Sequence, residues 1–158
     1  MGLVILSLVA CGGSARRSAV PVFGKRFSTK VIALCERVLA EKKAEPRFPF
    51  AAFNPTKPDR SKLPAIGRYE SRGVQIFRSW LRRMRALGTP PLGQSAWTAL
   101  LKPLEAHARI IADQQTAASR SDGAAFTREY HAGNKAQEQM VTAADHAGVP
   151  VCATAAGA

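Results

Sequence analysis

The chain lacks most of the short signatures that announce an enzyme. It has no H-E-x-x-H, no C-x-x-C, no G-x-S-x-G elbow, no phosphate loop and no dinucleotide glycine fingerprint. Each absence removes a class: helix-borne zinc hydrolases, zinc ribbons and thioredoxin-like redox proteins, serine hydrolases of the elbow type, and nucleotide-dependent enzymes. Carboxylate di-metal bundles need E-x-x-H, but Glu105 and Glu129 each stand two residues before a histidine, His107 and His131. A metal site would have to gather ligands such as His131, Asp145 and His146 from separate positions, and the three histidines read instead as solvent-exposed helix residues. Acidic residues number only 11. Of these, Glu36, Glu41 and Glu45 read as charges on or beside one helix, not as an acid/base pair. No apolar run approaches the roughly 20 residues that span a bilayer, and no internal repeat is visible. The expectation is a protein without catalytic residues, metal or cofactor, and therefore not an enzyme.

What is abundant is positive charge. Lys and Arg number 23, giving a formal charge of +12 over 158 residues. Such an excess suits an anionic partner, either nucleic acid or membrane head groups, and equally suits a protein with solvated arginine faces. Hydrophobic residues make up 46%, enough for the core of one ordinary domain and too many for global disorder.

The N-terminal residues Leu3 to Val9 form a short apolar run of the kind found in the core of a secretory signal. It ends in Leu8-Val9-Ala10-Cys11, followed by Gly12-Gly13-Ser14. This resembles a bacterial lipobox, which implies cleavage before Cys11, a lipid on its sulfur and a flexible tether. Only Met1 and Gly2 precede the run, where a signal carries Lys or Arg; the other reading is an apolar N-terminal segment with a single cysteine. The expected division is a signal-like segment over 1–10, a tether over 11–26, a helical domain over 27–152 and a frayed tail over 153–158.

Four helices follow from periodicity and punctuation. The first is expected over Ser28–Ala44, capped by Ser28 or Thr29, with Val31, Leu34, Cys35, Val38 and Leu39 in one apolar stripe and Glu36, Arg37, Glu41, Lys42 and Lys43 pointing elsewhere. Residues 45–64 carry Pro46, Pro49, Pro55, Pro58 and Pro64 together with Phe48, Phe50 and Phe53. They predict an extended connection whose rings cover the core or shape a groove. The second helix is expected from Ala65 to Leu87, with Ile66, Tyr69, Val74, Phe77, Trp80, Leu81 and Met84 inward. Its outer face holds Arg68, Arg72, Arg78, Arg82, Arg83 and Arg85, a candidate anion-binding surface. The third is expected from Gln94 or Ser95 to Ala118 with a kink or restart at Pro103, and the fourth from Ala124 to Ala147.

The fold class that results is all-α, a four-helix bundle of up-down-up-down order with a long Pro/Phe-rich connection after the first helix. Cys35 lies in a buried stripe and Cys152 in the closing Val149-Pro150-Val151-Cys152. A structural disulfide between them, and so an oxidising compartment, is the simplest use of both.

Cys35 in mid-helix, Leu87-Gly88-Thr89-Pro90-Pro91 and the ending Ala144 to Cys152 together resemble small exported proteins, lipoproteins among them, of high-GC Gram-positive bacteria, over about residues 27–152. That resemblance implies no activity, and it carries over only the three cysteines, in structural or anchoring roles. The functional expectation is an extracytoplasmic lipoprotein, held to a membrane through Cys11, with a binding or envelope-structural role and an anionic lipid or envelope polymer as partner. The alternative is a basic cytosolic nucleic-acid-binding protein, with reduced cysteines.

Overall fold

The computed structural model describes residues 22–157. Cys11, the signal-like segment and the tether as far as residue 21 lie outside the described residues. The chain forms five α-helices, and no strand occurs among the described residues: α1 Lys25–Lys43, α2 Leu63–Ala86, α3 Gln94–Ser119, α4 Gly123–His146 and α5 Pro150–Gly157. Each helix packs on its neighbour in sequence, and α5 returns to pack on α1. The elements thus close into a ring with α5 between α4 and α1.

Helix α1 begins three residues before the expected Ser28. Gly24 takes the cap position with φ 79°, and its carbonyl accepts from Ser28 N at 3.0 Å. Ser28 therefore does not cap; it sits buried one turn inside the helix, and Thr29 Oγ1 donates back to Lys25 O at 2.9 Å. The early start has an aromatic cause. Phe23 is fully buried, with ring centroids 5.9 Å from Phe27 and 5.6 Å from Trp97, and Phe27 lies 5.0 Å from Trp97. Burying one such ring is worth roughly 1.5–3 kcal/mol, enough to order the residues beside it. The stretch expected to be tether up to residue 26 is thus packed structure from Phe23 onward.

The α1 stripe is as periodicity requires, with Val31, Cys35 and Val38 fully buried. Helix α2 buries Ile66, Val74, Ile76, Phe77, Trp80 and Met84. It approaches α3 closely at Gly67, where a Cβ would meet Ser119 Oγ at 2.7 Å. Helix α3 runs through Pro103 without interruption. Pro103 lacks the amide that would bond the Ala99 carbonyl, but its ring is buried on the same helix that buries Trp97, Leu100, Leu104 and Ala108, and burial of that face offsets the lost bond.

Asp122 opens α4, its Oδ1 accepting from Ala125 N at 3.0 Å. Gly148, at φ 69°, turns the chain out of α4, and Val149 N donates to Ala144 O at 2.9 Å, closing the helix end. Pro150 then starts α5, at the helix position where proline costs nothing. The tail expected to fray from 153 is helical through Gly157, with Ala155 and Ala156 buried. Alanines lose no side-chain freedom on packing and permit close approach, so this short helix fits against α1. Lys42 Nζ donates to Ala155 O at 3.2 Å, a second tie beyond the sulfurs.

Those sulfurs are bonded. Cys35 of α1 and Cys152 of α5 form a disulfide with Cα atoms 4.9 Å apart and a separation of 117 in sequence. Cross-linking a loop of that length restricts the unfolded chain by about 5 kcal/mol on loop-entropy grounds. Cys35→Ala with Cys152→Ala is expected to lower the unfolding free energy by up to that amount in urea titration. An unchanged midpoint would show that the bond adds nothing to packing already made.

Candidate functional site

The expected anion-binding face of α2 divides into two groups. Arg68, Arg72, Arg78 and Arg82 are exposed, and none forms an ion pair among the described residues. Arg83 does not belong with them. It turns toward α1 and grips Glu41 with both terminal nitrogens, at 3.0 and 2.9 Å, while its Nε donates to Ser79 O. Arg83, with Arg37 behind it, holds the Glu41 carboxyl below its ordinary pKa against the effect of burial. Arg85 reaches α3 instead, its Nη2 2.6 Å from Glu105 Oε1. Each of these two arginines touches a neighbouring helix and so acts as a tie.

A second arrangement lies where α2 meets α3. Glu45, Tyr69, Glu70, Gly73, Val74, Phe77, Ile111 and Gln114 line a cleft of about 160 Å³. An adjoining cleft of about 370 Å³ shares Glu70 and Gln114 and is walled by Phe48, Phe50, Phe53, Phe126 and Tyr130. The proline-rich connection supplies three of those rings and α4 the other two. Phe50 and Phe53 pack against the minor core of Leu63, Ile66, Ala117, Ala118 and Phe126, while Phe48 stays 40% exposed at the rim, 5.2 Å from Tyr69 edge to face. Asn54 and Asp59 brace the connection by accepting from Thr56 and Ser61, and Thr127 of α4 donates to Pro55 O at 3.0 Å. The rings thus both cover core and shape a groove.

At the junction of the two clefts stands Glu70. Gln114 Nε2 donates to its Oε1 at 2.9 Å, but its Oε2 is buried and meets no hydrogen-bond partner. Burial raises its pKa from 4.5 to about 7, against the opposing hydrogen bond from Gln114. Burial also raises Glu45, against the nearby charges of Lys42 and Arg72, and it raises Tyr69, with Glu45 and Glu70 adding to the effect.

Two other polar groups depart from expectation. Lys42 does not point to water: its Nζ lies 5.1 Å from the Phe77 ring centroid, and burial lowers its pKa. His107 is buried and not exposed, its Nδ1 3.2 Å from Gly133 O and its ring 4.6 Å from Phe77, with burial lowering its pKa. His131 and His146 are exposed, and no group of His, Cys, Asp or Glu suited to a metal occurs among the described residues.

Sequence reasoning missed Glu70, Glu45 and Gln114 as neighbours. One signal was available: Ile66, Glu70, Val74 and Phe77 follow the spacing of a single inward face, so Glu70 occupies a core register. No family profile, curated protein or solved structure matches this chain.

Both the arginine ties and the Glu70 carboxyl have measurable consequences. Arg83→Ala should lower stability by about 1 kcal/mol through the loss of the two-pronged contact, whereas Arg82→Ala should stay within about 0.5 kcal/mol. Equal effects in urea titration would mean that Arg83 is not a tie. For Glu70, the folded carboxyl keeps its proton up to about pH 7, while the unfolded one releases it near 4.5. The native state therefore binds more protons over that interval, and stability falls as pH rises through it, by up to about 3 kcal/mol. Glu70→Gln should flatten the loss between pH 5 and pH 8. Parallel pH profiles for the two proteins would exclude a raised carboxyl at this position.

Proposed function

We propose that this chain is an extracytoplasmic lipoprotein with a binding or envelope-structural role and no catalytic one, tethered to a membrane through a lipid on Cys11. In this reading its four long helices act as an up-down-up-down bundle. It stands with the small exported proteins of high-GC Gram-positive bacteria that its cysteine placement and its Leu87–Pro91 segment resemble.

The observation that carries the reading is the Cys35–Cys152 bond. Disulfides persist in oxidising compartments and are rare where thiol reductants are maintained, so a bond between the first and last helices favours a location outside the cytoplasm. The lipobox-like Leu8-Val9-Ala10-Cys11 supports it independently. No helix among the described residues is long and apolar enough to cross a membrane, so attachment in this reading is by acyl chains, each buried CH₂ contributing about 0.8 kcal/mol. Arg68, Arg72, Arg78 and Arg82 would add roughly 1 kcal/mol each where they approach an anionic lipid or envelope polymer.

The test is metabolic labelling with a palmitate analogue, read together with the intact mass of the native protein. Label on the wild type, loss of label in Cys11→Ala and a mass two hydrogens below that of the reduced chain are expected. An unlabelled wild type, or label that survives Cys11→Ala, would refute the anchor. Reduced cysteines together with a steeply salt-dependent affinity for DNA or RNA would favour the cytosolic nucleic-acid-binding alternative, in which the same four arginines track a phosphate backbone.

A further inference from the structure

We propose that the cleft formed by Glu45, Tyr69, Glu70, Phe77 and Gln114 binds a small organic ammonium ion, its charge against the Glu70 carboxylate and its alkyl groups against the aromatic rings. This goes beyond the proposed anchoring, and acylation of Cys11 is not needed for it.

The first argument is charge. Lys and Arg outnumber Asp and Glu by 23 to 11, yet Glu70 is in no ion pair among the described residues, and its Oε2 is buried without a donor. Gln114 fixes the other oxygen at 2.9 Å and so aims the carboxylate. A buried carboxylate with one oxygen unbonded is costly, and a cation arriving from outside removes that cost. No cation of the chain acts on Glu70 in that way: Lys42 Nζ bonds Ala155 O, and the charges of Lys42 and Arg72 bear on Glu45.

The second argument is the wall. An aromatic face attracts ammonium groups through its quadrupole. Phe77 already does so within the molecule, with Lys42 Nζ 5.1 Å from its centroid. Tyr69 and Phe48 continue the aromatic surface toward the rim.

The third argument is Gly73. A glycine in mid-helix costs about 1 kcal/mol relative to alanine. Nothing in the packing demands it, because a Cβ there would meet only Glu45 Oε1, at an ordinary 3.8 Å. What the missing side chain does is keep the cleft open. A space of about 160 Å³ suits one compact ammonium head, and the adjoining cleft that shares Glu70 can take the rest of a longer ligand. With Glu70 raised to about 7, arrival of a cation would favour its ionised form and release a proton near neutral pH.

The experiment uses the full chain with its disulfide intact, choline as probe, and 3,3-dimethylbutan-1-ol as the neutral isostere, by calorimetry at pH 8. Saturable choline binding is expected, with the isostere at least about 10-fold weaker, in line with a contact to a charged group. Glu70→Gln, which keeps shape and removes charge, should also cost about 10-fold or more, and Gly73→Leu should abolish binding by filling the cleft. Wild-type affinity should rise between pH 5.5 and pH 8 more steeply than that of Glu70→Gln. The other groups that face or flank this space are Lys42, Glu45, Tyr69, Arg72, His107 and Tyr130; they are present in both proteins, so the difference belongs to Glu70. Absence of choline binding, equal binding of the isostere, or an unaltered affinity in Glu70→Gln would overturn the proposal. Because Glu70→Gln adds no volume, its affinity decides the matter even where Gly73→Leu fails to fold.

Discussion

The bond between Cys35 and Cys152 is the constraint from which the rest of the arrangement is most easily understood. A helix as short as α5 has little stability by itself, since nucleation costs more than a turn or two of hydrogen bonds returns. Held by its sulfur to α1, it packs Ala155 and Ala156 into the core and fills the place between α1 and α4. Its carbonyls then come within reach of Lys42, whose amine bonds Ala155 O and so settles over the Phe77 ring. Phe77 is in turn a wall of the Glu70 cleft. The covalent link and the polar site are thus joined through a short chain of contacts.

Six of the scarce acidic residues divide between two distinct purposes. Glu41, Asp59, Glu105 and Glu129 each pair with a cation, and two of those pairs, Arg83 with Glu41 and Arg85 with Glu105, join neighbouring helices. Glu45 and Glu70 instead face a cleft whose walls are largely aromatic and aliphatic. Desolvation there acts on carboxylates with little to offset it, and both are shifted toward the protonated form. The exposed arginines and the carboxylate-bearing cleft are therefore distinct features of α2 that meet at Arg72, whose charge acts on Glu45.

Much of the backbone was legible in advance. Pro46, the Thr89-Pro90-Pro91 stop and Gly148 mark helix limits within a few residues, because proline and positive-φ glycine act through local geometry that any tertiary setting must respect. The stripe through Val31, Cys35 and Val38 was equally plain. Less could be read of the connection 45–62, where prolines exclude helix but do not say which ring goes where. The polar site was the least legible, since periodicity reports which face of a helix is turned inward and not what that face meets. Glu70 lies in a core register, and only the position of Gln114 and of the aromatic connection shows why a carboxylate is there.

By itself, then, the sequence determined an all-helical protein, most of the limits of its long helices and an excess of positive charge, and it made a bond between Cys35 and Cys152 the simplest use of both, on grounds of local propensity, spacing and simple counting. The tertiary structure alone decided that the last described residues form a fifth helix, that Phe23 belongs to the core, that Lys42 and His107 are buried, that Arg83 and Arg85 are ties while Arg68, Arg72, Arg78 and Arg82 form no ion pair among the described residues, and that Glu45 and Glu70 share a cleft. Those outcomes depend on distances between residues far apart in the chain, and such distances are set only when desolvation, ring packing and the closing sulfur bond are satisfied together.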